Sequence, residues 1–117
     1  MNYKNMKIRL FFSAYLYQGW DAEYETINEA ISDYCSCGEL SDRLEALNEL
    51  KNIIYLSKTE GFTKSDLRAV GCFYFPLGMN LTLTEWLIFL ESNMESELKL
   101  RELSIKESKE KDIHKKS

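Results

Sequence analysis

The 117-residue sequence is poor in the residues on which most enzymes and metal sites rely. Its one histidine, His114, lies in a polar C-terminal segment, so a Ser-His-Asp or Cys-His catalytic pair would depend on a residue without fixed surroundings. Its three cysteines, Cys35, Cys37 and Cys72, form an odd set that lacks zinc-site spacing and a paired disulfide framework. These shortages predict that the protein is not an enzyme, has no cofactor and keeps its thiols reduced.

Long hydrophobic runs are also missing. None approaches the roughly 20 residues that a membrane-spanning helix needs. The run from Leu10 to Tyr17 follows Lys4, Lys7 and Arg9, as the apolar part of a secretory signal does, but it is short and rich in tyrosine. No small-x-small cleavage site follows it before Trp20. We therefore predict a soluble, cytoplasmic protein with no membrane partner.

What the sequence does contain is enough for one core, because 44% of its residues are hydrophobic and 13% are aromatic. Apolar residues at helical spacing predict a first helix that starts near Ile8 and ends near Gly19, although the aromatic content also favours a strand. A second helix is expected to start at Thr26. There the Thr26 hydroxyl and the Glu29 carboxylate can form a reciprocal capping box, in which Glu29 accepts from the Thr26 amide.

Three further helices are expected along the chain. Ser41 is the predicted cap of the third helix, and Gly61 is placed to end it. A short fourth helix is expected to start at Thr63. The last helix opens at Thr82, where Glu85 completes another capping box.

The chain becomes strongly polar after Ile105, with Ile113 as an isolated apolar residue. Such a segment has too little apolar area to offset the entropy of ordering. We therefore predict an all-α protein with a single compact domain of about five helices over residues 1–105. Residues 106–117 are expected to be a charged tail, either disordered or frayed helix.

Most of the aromatic residues are expected to pack inside this domain. We predict that Tyr15, Trp20 and Trp86 lie in the core. Tyr17 and Tyr24 are equally suited to packing and to anchoring an interface. Tyr24 should lie at the surface, because it stands between two glutamates.

The formal net charge of -4 conceals a segregated distribution. Residues 21–49, here called the acidic block, contain nine carboxylates and one cation, Arg43, whereas the segment from Lys106 onward has a net charge of +2. This balance argues against a nucleic-acid partner. The carboxylates lack the spacing of a calcium loop. They are Asp21, Glu23, Glu25, Glu29, Asp33, Glu39, Asp42, Glu45 and Glu49.

Two sets of these carboxylates have a spacing that predicts rows on helices. The first row contains Glu25, Glu29 and Asp33, provided that the second helix extends back to Glu25, and the second row contains Asp42, Glu45 and Glu49. One interpretation is a solvated surface, because acids in a first helical turn complement the exposed backbone amides. The other is a docking surface for a basic partner. Charge alone leaves both interpretations open.

The segment from Leu10 to Asp21 adds a more specific signal. It resembles one helical family of immunity proteins from bacterial contact-dependent growth inhibition (CDI) systems, in which an aromatic-rich helix ends in Gln-Asp-Trp-Asp. Gln18, Trp20 and Asp21 match this pattern, whereas Tyr17 replaces the usual His and Gly19 the usual Asp. Further matches lie at Gly71, Tyr74, Pro76, Trp86 and Leu87. The matches extend from about Leu10 to Met94.

This resemblance implies an immunity protein, or antitoxin, that binds and neutralises the cognate C-terminal toxin domain of a CDI effector without catalysing a reaction. Many such toxins are nucleases, whose substrate grooves must be cationic. We therefore expect a basic toxin domain as the partner, a 1:1 complex and a monomer when unbound. The predicted toxin-binding residues are Asp21, Glu23, Tyr24, Glu25, Glu29, Asp33, Asp42, Glu45 and Glu49.

Two other functions fit the same residues. The protein could be a small helical adaptor or regulatory subunit that associates with itself through the aromatic loop from Phe73 to Leu77, where Pro76 argues against a helix. It could also be an acidic mimic of nucleic acid that binds a different basic protein. A stable homodimer indifferent to the product of the adjacent upstream gene would favour the adaptor.

Overall fold

The protein consists of five α-helices in the computed structural model, which describes residues 3–16, 19–59, 61–72 and 80–115, without the side chains of residues 4 and 109–115. The helices are α1 (Ile8–Tyr15), α2 (Ile27–Ser36), α3 (Leu40–Lys58), α4 (Lys64–Ala69) and α5 (Leu83–Lys115). Two 3-10 turns, Tyr3–Asn5 and Trp20–Ala22, complete the described secondary structure. Strands are absent from these ranges, so the predicted all-α class is confirmed.

The long helix α5 organises the core. α2 and α3 pack against α5 more extensively than against each other, and α1 contacts both α2 and α3. The buried stripe of α5 follows helical spacing and consists of Trp86, Leu87, Leu90, Met94 and Leu98. Each large side chain in such a stripe contributes about 1.5–3 kcal/mol through burial. The predicted burial of Trp20 and Trp86 is confirmed, and Tyr15 is half-buried against the same core.

The end of α5 differs from its beginning. Leu98 is the last buried residue among the side chains of α5 that the structure describes, whereas Leu100 and Leu103 are 62% and 56% exposed. The helical backbone nevertheless continues to Lys115. Because the end of α5 extends beyond the packed helices, the radius of gyration is 16.0 Å, above the roughly 13 Å expected for a compact domain of this length. The division between a domain at residues 1–105 and a tail at residues 106–117 remains a prediction.

The capping box predicted for the last helix is present, and a further capping box stands at the predicted start of the fourth helix. The Thr63 amide donates to the Asp66 carboxylate over 2.9 Å, and the box is complete at the start of α4. At the start of α5, the Thr82 amide donates to Glu85 Oε1 and the Glu85 amide donates to Thr82 Oγ1, each over 3.1 Å. These local patterns therefore define where the two helices begin.

Two predicted helix ends were wrong. α3 begins at Leu40, so Ser41 lies inside the helix, and the N-cap is Glu39, which makes no side-chain capping bond. α1 ends at Tyr15 instead of near Gly19, and the amide of its C-cap, Leu16, divides its hydrogen bond between the carbonyls of Phe11 and Phe12. Trp20 lies in a separate 3-10 turn, Trp20–Ala22, from which it packs inward.

Several sequence predictions fall on residues outside the described ranges. These include Tyr17 and Gln18 of the family pattern, and the segment 73–79, which contains Tyr74, Pro76 and the loop from Phe73 to Leu77. Within the described ranges, none of the helices combines the length and the apolar character required to span a membrane.

Candidate functional site

The N-terminal end of α2 carries the first group of predicted binding residues. Thr26 caps the helix in an extended conformation, and its Oγ1 accepts from the Glu29 amide over 3.2 Å. The Glu29 carboxylate accepts from the Glu25 amide over 3.0 Å, and not from the Thr26 amide as predicted. Because the chain enters the helix extended, the Glu25 amide is the one that meets this carboxylate. Glu25 itself lies before the helix, so the predicted row does not continue along α2 to Glu25.

Tyr24 links this group to α1. Its hydroxyl donates a hydrogen bond to the Asp33 carboxylate, and its ring stacks on Tyr15 with a centroid distance of 6.3 Å. The hydrogen bond to Asp33 raises the pKa of Tyr24 above its ordinary value, because the carboxylate stabilises the protonated phenol. Tyr24 is half-buried rather than fully at the surface. It therefore fixes the position of Asp33 while its own edge remains accessible.

The second group lies on α3, where two carboxylates contact the start of α1. Asp42 forms an ion pair of 3.6 Å with Lys7, and both side chains are nearly half exposed. The Glu49 carboxylate accepts from the Ile8 amide over 2.8 Å, which satisfies a free backbone donor at the N-terminal end of α1. Asp42 and Glu49 thus connect α1 to α3 in addition to any contact with a partner.

The other predicted residues face solvent. Asp21, Glu25 and Glu45 are exposed, and no hydrogen bond or ion pair engages their side chains within the described ranges. Glu23 is exposed as well. The structure therefore separates carboxylates that hold helices in place from carboxylates whose side chains face solvent. It brings Tyr24 together with Asp33. The α2 and α3 groups lie on different helices, and α1 packs against both of these helices.

The C-terminal end of α2 is held by two arginines that were not among the predicted site residues. Arg43 of α3 is 6% exposed. Its Nε donates to the Tyr34 carbonyl over 2.8 Å, and its guanidinium lies 3.9 Å from the centroid of the Tyr34 ring. Burial raises the pKa of Tyr34 to about 12. Within the described ranges, no carboxylate lies within 4 Å of this guanidinium. Its partners are the Tyr34 carbonyl, the Tyr34 ring and the Cys37 thiol, which lies 3.9 Å from Nη2.

Arg101 reaches the same end of α2 from α5. Its Nη1 donates to the carbonyls of Cys35 and Cys37 over 3.1 and 3.2 Å, and its Nη2 donates to the Gly38 carbonyl over 2.6 Å. These bonds satisfy carbonyls that a helix C-terminus leaves free, where cations are also favoured by the helix dipole. A sequence signal existed for both arginines. Arg43 is the lone cation of the acidic block, and Arg101 continues the spacing of Met94 and Leu98 along α5.

The described residues contain no group of three or more histidine, cysteine or acidic side chains that could hold a metal ion.

Comparison with known proteins supports an identification. The sequence model of the CdiI immunity protein family matches residues 4–94, which is well over half of the chain. Searches of the curated proteins and of the solved structures found no significant match. The matched region contains α1 to α4, the whole acidic block and the buried beginning of α5. The chain therefore belongs to the CdiI immunity protein family, whose members are immunity proteins against the toxins of contact-dependent growth inhibition.

Proposed function

We propose that this protein neutralises its cognate toxin by binding a basic surface of the toxin domain with the exposed carboxylates of the acidic block. The observation that carries this proposal is the burial of Arg43, the only cation among residues 21–49. Because this guanidinium is enclosed by the corner between α2 and α3, it is not available at the surface to pair with Asp21, Glu25 or Glu45. The exposed charge of the block is therefore almost entirely negative.

Such a surface suits rapid capture of a positively charged partner. Clustered charge of one sign accelerates association and disfavours partners of the same sign. Rapid capture matters for an immunity protein, because a toxin that enters the cell must be bound before it reaches its substrate. A nuclease is the toxin class that fits best, since a surface that binds phosphates must be cationic.

The contacts within the protein rank the predicted binding residues. Asp21, Glu25 and Glu45 have no internal bonds among the described residues, so we assign them, with the exposed Glu23, to direct contact with the toxin. Glu29, Asp33, Asp42 and Glu49 also hold backbone or side-chain donors inside the protein. Tyr24 supplies an aromatic edge beside them. We propose inhibition by occupancy, in a 1:1 complex with an immunity protein that is monomeric when unbound.

The decisive experiment is a pair of matched charge reversals. Glu25→Lys with Glu45→Lys changes two exposed carboxylates of the acidic block, and Glu102→Lys with Glu107→Lys makes the same change on the exposed end of α5. Binding to the toxin domain encoded by the adjacent upstream gene is measured by surface plasmon resonance, and protection is measured by co-expression with the toxin. The first pair should weaken binding about tenfold or more, chiefly through slower association, while the second should leave it near wild type.

Two further measurements accompany these variants. Circular dichroism should show unchanged helicity in both pairs, because none of the four side chains forms an internal bond among the described residues. Size-exclusion chromatography with light scattering should show a monomer that becomes a 1:1 complex when the toxin domain is added. Equal toxin affinity in both double variants would place the interface outside the acidic block.

A further inference from the structure

The two groups of carboxylates are carried by helices that depend on other parts of the protein for their relative orientation. Glu29 and Asp33 lie on α2, and Glu45 lies on α3. These helices pack more extensively on α5 than on each other. Residues 37–39 form the corner that joins the two helices. Contacts between this corner and the rest of the protein are therefore needed to fix the position of the α2 carboxylates relative to those of α3.

Arg101 supplies such contacts. Its guanidinium donates to the carbonyl of Cys35 in the last turn of α2 and to the carbonyls of Cys37 and Gly38 in the corner, at distances of 2.6 to 3.2 Å. Gly38 adopts a φ of +73°, so the chain turns at the residue whose carbonyl accepts a hydrogen bond from Arg101. A planar guanidinium with several donors can bridge three carbonyls at once, which the single ammonium of lysine cannot do with the same geometry.

The position of Arg101 in the sequence makes this contact distinctive. The family match ends at residue 94, so Arg101 belongs to the part of α5 beyond the matched region. Leu98 is the last buried residue of α5 up to residue 108, where the described side chains end, and Arg101 follows it at the next helical position on the same side. The beginning of the exposed part of α5 therefore contacts the corner between the two acidic groups.

We propose that Arg101 is a positioning residue for toxin binding, which holds the α2–α3 corner and thereby fixes the carboxylates of α2 relative to those of α3. This inference rests on the proposed function, since it assigns Arg101 a role in that same interface. Arg101 acts through the backbone of the corner and does not itself contact the toxin.

The first test compares Arg101→Ala with Lys99→Ala in the full-length protein. Lys99 is 71% exposed and lies on the same helix, so its removal causes the same change in net charge without disturbing the corner. Arg101→Ala should weaken toxin binding at least about fivefold, and Lys99→Ala should change it less than about twofold. Hydrogen exchange should accelerate at the amides of residues 37–41 in Arg101→Ala alone. Equal binding by the two variants would overturn the proposal.

A double-mutant cycle separates positioning from a general loss of stability. Glu45→Gln is measured in the wild-type and in the Arg101→Ala background. If Arg101 aligns the two groups, a toxin bound to the α2 carboxylates no longer contacts those of α3 in Arg101→Ala. The loss of toxin affinity caused by Glu45→Gln should then be at least about threefold smaller in that background than in wild type. A loss of folded protein alone would reduce binding by the same factor in both backgrounds, so an additive cycle would overturn the proposal.

The result also distinguishes this inference from the proposed function. If Glu25→Lys with Glu45→Lys weakens binding while Arg101→Ala does not, the positioning role fails and the acidic interface stands. If neither weakens binding, the acidic interface itself fails. Arg101→Lys replaces Arg101→Ala if the alanine variant melts below the assay temperature. It should bind with an intermediate affinity and give a cycle of the same sign; an additive cycle would again contradict the proposal.

Discussion

At the N-terminal end of α2 the charged side chains face solvent, whereas at the C-terminal end they are turned onto the backbone. Both ends obey one electrostatic rule, because anions complement exposed amides and cations complement exposed carbonyls. The carboxylate of Glu29 and the hydroxyl of Thr26 cap one end. Arg43 and Arg101 cap the other. Both arginines are used to hold the fold, and within the described ranges neither forms an ion pair with a carboxylate of the acidic block.

This comparison suggests a division of labour along a single helix. Changes at the arginine end should reduce stability most, and changes of the exposed carboxylates should reduce toxin binding with little effect on stability. The following substitutions test that division, from the largest expected change in the free energy of unfolding to the smallest.

Replacing Arg43 should have the largest effect. Arg43→Ala removes the donor to the Tyr34 carbonyl and leaves a cavity beneath the Tyr34 ring. We expect a loss of about 3 kcal/mol in the free energy of unfolding, measured by urea denaturation. Arg43→Met keeps much of the volume and should lose less. A loss below 1 kcal/mol in Arg43→Ala would show that the arginine end does not hold the fold.

Gly38→Ala should be the next most damaging change. Its φ is +73°, and a Cβ there would lie 2.5 Å from Arg43 Nη2, so the substitution strains the backbone and displaces the guanidinium. We expect a loss of about 2 kcal/mol. Gly61→Ala is the matched control, because a Cβ at Gly61 would lie no closer than 3.4 Å to another atom, the Leu56 carbonyl oxygen, and the φ of Gly61 is not positive. Similar melting temperatures for the two variants would contradict this explanation.

At the carboxylate end, Thr26→Ala should cost about 1 kcal/mol through loss of the cap on the Glu29 amide. Ser41→Ala provides the comparison. Ser41 resembles a cap in sequence, yet α3 begins at Leu40 and is capped without a side-chain bond. Thermal denaturation should therefore separate Thr26→Ala from a nearly unchanged Ser41→Ala. If Ser41→Ala costs as much as Thr26→Ala, the observed start of α3 is inconsistent with the result.

The smallest effect on stability is expected for Glu25→Gln. Its side chain is exposed and forms no internal bond within the described ranges. The free energy of unfolding should change by less than about 0.5 kcal/mol. Association with the toxin should nevertheless slow, and the difference from wild type should diminish as salt is added, because screening weakens exposed charges. A change that persists undiminished in high salt would argue against electrostatic capture.

Features that depend on neighbouring residues were predictable from the sequence. The capping boxes of Thr63 with Asp66 and of Thr82 with Glu85 join residues three apart, and both are present. The buried stripe of α5 through Trp86 also follows from helical spacing. The predicted cap at Ser41 was wrong. Several residues near a helix start can satisfy the capping pattern, and tertiary packing selects which of them the helix begins at.

The sequence by itself determined that the chain forms helices around one apolar core, that its acidic residues are concentrated in residues 21–49, and that it resembles a family of immunity proteins. It could not determine which carboxylates are engaged internally. Glu49 meets the Ile8 amide across 41 positions, and Arg101 meets the Gly38 carbonyl across 63. Such partners are far apart in the chain and are brought together only when the helices pack. The tertiary structure alone therefore decided which charges hold the protein together and which remain exposed to solvent.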